Sequence, residues 1–252
     1  MPKGKRLAIT GGTGFVGQYV IREALEAGYD VRALIRNPAK RPNIEHENLT
    51  WQQGALGDDD TGFLQGADCV IHIAGLIKAR TRSAFDAVNV DAAKALAAAA
   101  QNAGAARFIL LSSMAARVPQ LSDYAASKNA GEAAVRSVFN GALAVIRAPA
   151  VFGPGDIATE PFFDAVKRGL LPLPGGRKWK NRRLSIVYAP DLARDIIGRA
   201  VKGDYDGQTV SPASWPDVSW ENFAQMLSDA RGSKVRPFPI PLAVLMPVAG
   251  VT

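Results

Sequence analysis

Short apolar runs alternate with stretches of helical periodicity along the first 150 residues of the chain. The apolar runs predict six strands, at Arg6–Thr10, Val31–Ile35, Thr50–Gln53, Cys69–Ile73, Phe108–Leu111 and Leu143–Arg147. Apolar positions three and four apart predict helices at Gln18–Ala27, Phe85–Ala103 and Tyr124–Phe139. Strands that alternate with helices form parallel sheets covered on both faces, so we expect an α/β protein with a doubly wound parallel sheet.

The pattern changes after Arg147, where prolines and glycines interrupt the alternation. We therefore expect residues 1–150 to form mainly the sheet domain. Residues 151–252 then form mainly a smaller C-terminal lobe, with some segments returning to the first domain. The last stretch, residues 237–252, resembles the opening of an apolar helix that stops abruptly. A truncated C-terminus is our first explanation for it, and a membrane-touching end is the second.

Composition narrows the possible classes of protein. Hydrophobic residues make up 48% of the chain and charged residues 21%, which excludes a disordered chain. Cys69 is the single cysteine, which excludes an internal disulfide framework. No apolar segment of signal-peptide length begins the chain, so we expect a cytoplasmic protein. No run approaches the roughly 20 apolar residues of a membrane span, and two histidines, His46 and His72, form no metal-binding pattern.

The net charge is +7, and the excess is concentrated in two short clusters, residues 32–41 and 177–183. Short clusters suit small molecules that carry phosphate better than they suit nucleic acid, so we expect a small-molecule substrate and no nucleic-acid partner. A solvated surface is the alternative interpretation of each cluster.

A glycine-rich turn joins the first predicted strand to the first predicted helix. Gly11, Gly14 and Gly17 lie in this turn. Glycine has no Cβ, so the backbone can approach a pyrophosphate closely, and the following helix N-terminus offers free N–H groups to it. At the first strand–helix junction of a repeating pattern, this turn predicts a Rossmann-like dinucleotide-binding site.

The residue that follows the second predicted strand bears on the choice of cofactor. A carboxylate at this point would bond the ribose of NAD, whereas an arginine accommodates the 2′-phosphate of NADP. The chain has Arg36 here. We therefore expect NADP as the preferred cofactor, with NAD as the alternative; a solvated loop position is the other interpretation of Arg36.

Tyr124 and Lys128 are four residues apart on a predicted helix, so both side chains face the same way. A phenol with a pKa near 10 is a poor acid or base at neutral pH, and a nearby ammonium is expected to lower that pKa. Tyr124 could then pass a proton to or from a substrate oxygen while hydride moves to or from a nicotinamide. Ser112 and Ser113, after a predicted central strand, could bond the reacting carbonyl.

Seven segments together resemble one known family. In chain order they are TGGTGFVG, VIHIAG, VNV, ILLSS, YAASK, IRAPAVFGPGD and IVYAPDLARDI. They resemble the short-chain dehydrogenase/reductase superfamily, in its extended or atypical branch, the NAD-dependent epimerase/dehydratase family. The resemblance covers about residues 5–240. It implies a Rossmann-like doubly wound sheet with a small C-terminal substrate-binding lobe, and a possible homodimer.

The resemblance also implies which residues form the site. Catalysis falls to Ser113, rather than Ser112, and to Tyr124, Lys128 and Asn89. Together with Arg36, the cofactor contacts are Gly11, Gly14, Phe15, Val16, Gly17, Leu56, Ala74, Gly75, Tyr124, Lys128, Pro149, Ala150 and Val151. As substrate contacts we expect Met114, Phe152, Trp179 and Arg183, each of which also suits a plain core or surface role.

Two departures from the family pattern affect the function. Leu56 stands where members often have an aspartate that touches adenine, so only a backbone contact is expected there. Leu184, next to Arg183, stands where nucleotide-sugar epimerases commonly place an arginine. We expect an NAD(P)-dependent oxidoreductase or epimerase acting on a small carbonyl or hydroxyl compound or on a nucleotide sugar. The alternative is a non-catalytic NAD(P)H-binding sensor or structural subunit, like the atypical members associated with respiratory complex I.

Overall fold

The structure, a computed structural model, describes residues 4–56, 61–174, 179–180, 182–202 and 207–240. It divides into two compact units. The first unit contains Met1–Pro149 and Ala189–Pro212, and the second contains Ala150–Tyr188 and Ala213–Thr252.

The strands lie in three sheets. Their bounds are β1 Arg6–Thr10, β2 Asp30–Ile35, β3 Leu49–Gln53, β4 Cys69–His72, β5 Arg107–Ser113, β6 Ala142–Ala148, β7 Ala150–Phe152, β8 Leu170–Pro174, β9 Arg183–Tyr188, β10 Thr209–Val210, β11 Trp215–Ser219 and β12 Arg236–Ile240. The first unit holds a seven-stranded sheet of order β10-β6-β5-β4-β1-β2-β3. Every pairing in it is parallel, which confirms the expected Rossmann-like α/β fold.

Helices connect these strands. The α-helices are α1 Phe15–Glu26, α2 Thr61–Leu64, α3 Arg82–Asp86, α4 Ala93–Asn102, α5 Asp123–Arg136, α6 Glu160–Lys167, α7 Ala189–Lys202 and α8 Trp220–Arg231. Shorter turns of other helical types are the π-helical turn Ala87–Ala92 and the 3-10 turns Pro38–Lys40, Met114–Arg117 and Pro119–Leu121. Among the residues that the structure describes, no helix combines the length and the apolar character needed to cross a bilayer.

The seven-stranded sheet buries side chains on both faces. Ala8, Val70 and Phe108 lie in one row across β1, β4 and β5, and they share a core with side chains of α4 and α5. Ile9 and Ile71 belong to the next row and are fully buried on the opposite face, where α1 packs against α7. Burial on both faces is why these strands are continuous apolar runs rather than alternating ones.

Parallel pairing also fixes where the functional residues lie. The carboxyl ends of β1, β4 and β5, at Thr10, His72 and Ser113, lie at the same edge of the sheet. In open α/β sheets this edge is where ligands bind.

The expected helix Phe85–Ala103 is wrong as a single regular helix. The segment is helical from Arg82, but the π-helical turn Ala87–Ala92 interrupts it. Asn89 lies in that turn, and its side chain is bonded to groups outside the helix. A further correction is that α1 begins at Phe15 rather than at Gln18, so Gly17, expected in the glycine turn, lies in the first turn of the helix.

The second unit contains two small sheets. One has the order β11-β9-β7 and the other pairs β12 with β8. Leu171 and Leu173 of β8 are fully buried in a core that also contains Val235. Pro237–Ile240, expected to open a helix, instead belongs to β12, and the rest of that stretch, 241–252, lies outside the described residues. Part of the second basic cluster, residues 177–178 and 181, also lies outside them.

Candidate active site

The glycine turn between β1 and α1 is so closely packed that side chains do not fit in it. A Cβ added to Gly17 would lie 2.1 Å from the carbonyl oxygen of Gly11, and one added to Gly11 would lie 2.6 Å from the backbone nitrogen of Ala74. Gly14 precedes α1 and, as a glycine, offers no side chain to cap it, and the first turn of α1 has no acidic residue. This uncapped, positive helix end fits the pyrophosphate of a dinucleotide.

The loop after β4 lies beside this turn and reaches α5. A Cβ on Gly75 would lie 3.0 Å from Oδ1 of Asn89 and 3.7 Å from Nζ of Lys128. The structure therefore brings together Gly11, Ala74, Gly75, Asn89 and Lys128, which come from four separate segments of sequence. This grouping of predicted cofactor and catalytic residues was not apparent from any one motif.

A buried polar pair lies beneath that loop and was not predicted. Oγ1 of Thr10 and Nδ1 of His72 are hydrogen-bonded at 2.7 Å, and Oγ1 also accepts a weaker bond of 3.5 Å from the backbone N–H of Ala74. Burial, and secondarily the charge of Lys128, lower the pKa of His72 to about 3. His72 is therefore neutral at physiological pH, and the pair fixes the carboxyl ends of β1 and β4.

Asn89 is a buried residue that fastens the π-helical turn to its surroundings. Its Oδ1 accepts from the backbone N–H of Leu76 at 2.8 Å, and its Nδ2 donates to Leu76 O and to Oγ of Ser127, both at 3.0 Å. The backbone of the turn also approaches α5 closely, since a Cβ on Gly131 would lie 2.1 Å from the carbonyl oxygen of Asn89. Asn89 thus connects the loop after β4 to the helix that carries Tyr124 and Lys128.

Tyr124 lies in the first turn of α5, opposite the end of β5. Ser122 caps this helix by accepting from the backbone N–H of Ala125. The Tyr124 side chain lies beside that of Ser113, and its ring centroid lies 6.0 Å from that of Phe85. Burial raises the pKa of Tyr124 above its usual value, and the interaction with Ser113 opposes part of this rise.

Lys128 is one helical turn further along α5. Its Nζ donates to the carbonyl oxygen of Leu111 at 2.8 Å. Burial lowers the pKa of Lys128 to about 8, and the charge of Glu132 opposes this decrease. The pKa of Tyr124 is raised overall rather than lowered as expected, because burial of the phenol prevails; Lys128 Nζ is bonded to a backbone carbonyl.

The remaining cofactor candidates are divided between the two units. Arg36 directly follows β2 and is exposed, and among the described residues no hydrogen-bond partner holds its guanidinium. Leu56 is half-buried and packs against the core of the first unit. The other candidates are Phe15 and Val16 at the start of α1, Pro149 after β6, and Ala150 and Val151 in β7 of the second unit.

The substrate candidates have mixed environments. Met114 begins a 3-10 turn directly after Ser113 and is half-buried. Phe152 belongs to an aromatic cluster of the second unit, with ring centroids 5.5 Å from Tyr188 and 5.8 Å from Trp215. Trp179 packs against the core of that unit. Arg183 forms an ion pair of 2.6 Å with Asp217.

The chain matches a family model and is similar in sequence to known proteins. The model of the NAD dependent epimerase/dehydratase family matches residues 7–194. The chain is 37% identical over 239 residues to the ceramide reductase of Caulobacter vibrioides, covering 93% of this chain and 73% of that protein. It is 27% identical over 245 residues to NADH dehydrogenase (ubiquinone) 1 alpha subcomplex subunit 9, mitochondrial, of Mus musculus, covering 94% of this chain and 64% of that protein.

Solved structures show the same fold. The enzyme WbmH of Bordetella bronchiseptica, in complex with NAD+, superposes with a TM-score of 0.77 at 23% sequence identity. The superposition covers 94% of this chain and 85% of that chain.

Proposed function

The chain belongs to the NAD dependent epimerase/dehydratase family, and from that premise we propose that it is an NADP(H)-dependent reductase that interconverts an apolar carbonyl compound and its alcohol. The family makes the chain an NAD(P)-dependent enzyme, as the motifs predicted. One observation carries the finer proposal. The side chains of Ser113 and Tyr124 are neighbours at the carboxyl end of β5, with Lys128 one helical turn away.

Tyr124 is proposed to be the proton donor. Because burial raises its pKa, the phenol is protonated at neutral pH, which is the form that can give a proton to a carbonyl oxygen. Ser113 would donate a hydrogen bond to the same oxygen and hold it beside Tyr124. When bound, the nicotinamide supplies the hydride to the carbonyl carbon, so the C=O bond becomes a CH–OH group. The reverse transfers oxidise the alcohol.

Lys128 is proposed to support the phenolate that Tyr124 becomes after giving up its proton. An ammonium has three donors, and Lys128 uses one on the carbonyl of Leu111. The other donors suit the phenolate oxygen and a ribose hydroxyl. The buried position of Lys128 strengthens its charge effect, because water screens a buried charge much less than an exposed one.

An apolar substrate is favoured over a nucleotide sugar for two reasons. At position 184, where an arginine would bind the pyrophosphate of a nucleotide sugar, the chain has Leu184, which has no charge to do so. The adjacent Arg183 is already paired with Asp217. The second unit also carries the aromatic cluster of Phe152, Tyr188 and Trp215, of which Trp215 is 38% exposed. The relative that reduces a ceramide supports the same class of substrate.

Substrate panels test the proposed function directly. We expect NADPH to be oxidised in the presence of long-chain ketones and not in the presence of UDP-sugars, followed by nicotinamide absorbance. Reversible conversion of one UDP-sugar into its epimer, without net consumption of NADPH, would instead establish an epimerase. Absence of turnover with both panels, despite binding of NADPH, would support a cofactor-binding module.

Arg36 is expected to decide the choice of cofactor. Its guanidinium is exposed directly after β2, where it can bond the 2′-phosphate of NADP. Since a hydrogen bond to a charged group contributes about 1.5–3 kcal/mol, Arg36→Ala should weaken NADPH binding about 10- to 100-fold and leave NADH binding nearly unchanged. Fluorescence titration with both dinucleotides measures this.

Arg22→Ala is the matched control for Arg36. It removes the same charge from an exposed position on α1 and should change neither affinity. Tighter binding of NADH than of NADPH by the unaltered protein would contradict the assignment of Arg36 while leaving the enzyme proposal intact.

A further inference from the structure

Glu132 is a buried carboxylate that the proposed reaction does not use. It lies on α5 and is 5% exposed. Arg147 of β6 holds it with two parallel bonds, of 2.9 Å from Nε to Oε1 and 2.7 Å from Nη2 to Oε2. Oγ of Ser112 donates a short bond of 2.5 Å to Oε1. Both carboxylate oxygens are therefore fixed by two neighbouring strands, since Ser112 and Arg147 are register partners in the sheet.

The network belongs to a series of contacts between α5 and the end of β5. Tyr124, Lys128 and Glu132 follow one another at intervals of four residues along the helix. They meet three consecutive residues of the strand: Tyr124 lies beside Ser113, Lys128 donates a hydrogen bond to Leu111 O, and Glu132 accepts one from Ser112. Of these three contacts, the one made by Glu132 is the ionic anchor, because Arg147 neutralises its charge within the sheet.

We propose that Glu132, held by Arg147 and Ser112, is a positioning residue that sets α5 against β5 so that Tyr124 and Lys128 meet the reacting groups. Glu132 touches neither Ser113 nor Tyr124 in any described contact, so its effect passes through the helix and through the charge that it places near Lys128. This inference rests on the proposed function.

The charges around Lys128 determine what the loss of Glu132 should do. Glu132 faces Lys128 from its own helix and raises its pKa, whereas His72 faces it from β4 and is neutral. Tyr124 lies one turn away on α5 and is protonated at neutral pH. Removing the carboxylate charge therefore lowers the pKa of Lys128 further below about 8, so the ammonium is lost at a lower pH than in the unaltered protein.

Glu132→Gln tests the proposal because it keeps the shape of the side chain and removes its charge. We expect kcat to fall about 10- to 100-fold, as for a small misplacement of catalytic groups, with the substrate KM within about threefold. The basic limb of the kcat/KM profile should move to lower pH. Carbon-13 NMR of the lysine Cε, assigned with Lys128→Arg, should show the same move in the Lys128 titration without any need for turnover.

Asp195→Asn is the matched control. Asp195 binds Arg199 through two bonds of 2.7 Å on α7, a helix that packs against α1 and carries no candidate site residue. This variant should lower the melting temperature and leave kcat and the Lys128 titration unchanged. If Glu132→Gln does not fold, the double variant Glu132→Gln/Arg147→Met removes both charges and the anchor together, and kcat should fall by a similar factor.

The outcomes separate the two proposals. An unchanged kcat and an unchanged Lys128 titration in Glu132→Gln would overturn the positioning role, as would equal effects in Asp195→Asn. If the unaltered protein turns over no substrate but the Lys128 titration still moves, the reductase proposal fails while the electrostatic effect of Glu132 on Lys128 stands. Ser112→Ala, which removes one bond and no charge, should reduce kcat by less than Glu132→Gln does.

Discussion

Tyr124→Phe is expected to lower kcat by about a thousandfold, which is within the range that removal of a general acid produces. The variant deletes one oxygen, and the ring keeps its contact with Phe85, so the fold and the dinucleotide affinity should persist. Stopped-flow or steady-state measurement of NADPH oxidation gives kcat, and a fluorescence titration gives the affinity. The combination of lost turnover and retained binding assigns the proton transfer to this phenol.

Tyr29→Phe provides the control for that experiment. Tyr29 is also buried and its pKa is also raised by burial, but it precedes β2 and has no serine or lysine bonded to it among the described contacts. Its variant should retain kcat. If Tyr124→Phe kept more than a tenth of the turnover, another group would have to supply the proton, and the proposed reduction would need a different acid.

Local spacing accounts for the parts of the site that the sequence predicted. The glycine turn lies within seven residues, and the interval from Tyr124 to Lys128 is one helical turn, so both patterns are visible along a short segment. The alternation of strands and helices predicted the parallel sheet. In such a sheet the carboxyl ends of β1, β4 and β5 lie at one edge.

Long-range pairings account for what the sequence did not predict. Thr10 and His72 are 62 residues apart, and they meet only because β1 and β4 are neighbours in register. The network of Ser112, Glu132 and Arg147 likewise depends on the register of β5 and β6. The sequence contains one indication of the first pair, since Thr10 and His72 are polar residues in otherwise apolar strands.

The directions of the pKa shifts were the least predictable feature of the site. Spacing placed Lys128 beside Tyr124 but gave no measure of burial, which raises the pKa of the tyrosine and lowers that of the lysine. Similarly, the alanine-rich segment around Asn89 has strong helical periodicity. This periodicity does not predict the π-helical turn, nor the hydrogen bonds of Asn89 with Leu76 and Ser127.

Gly17→Ala is expected to abolish dinucleotide binding, with an affinity loss of at least about 100-fold. The added Cβ would lie 2.1 Å from the carbonyl oxygen of Gly11 and 2.8 Å from the Cα of Gly12, so the backbone of the turn must move away from α1. A pyrophosphate can bind only if this backbone approaches it closely, so a displaced turn would no longer bind the pyrophosphate. Forcing extra atoms into a packed site also costs about 1–3 kcal/mol of folding free energy.

Gly198→Ala distinguishes this steric effect from a general intolerance of glycine substitutions. Gly198 lies on α7, and a Cβ there would meet no atom of the described residues within 4 Å. Alanine at that helical position should leave NADPH binding unchanged and stabilise the protein by up to about 1 kcal/mol. Calorimetric titration and thermal unfolding of both variants make the comparison. Full NADPH affinity in Gly17→Ala would mean that the turn relaxes without moving its N–H groups, and the pyrophosphate assignment would then have to move elsewhere.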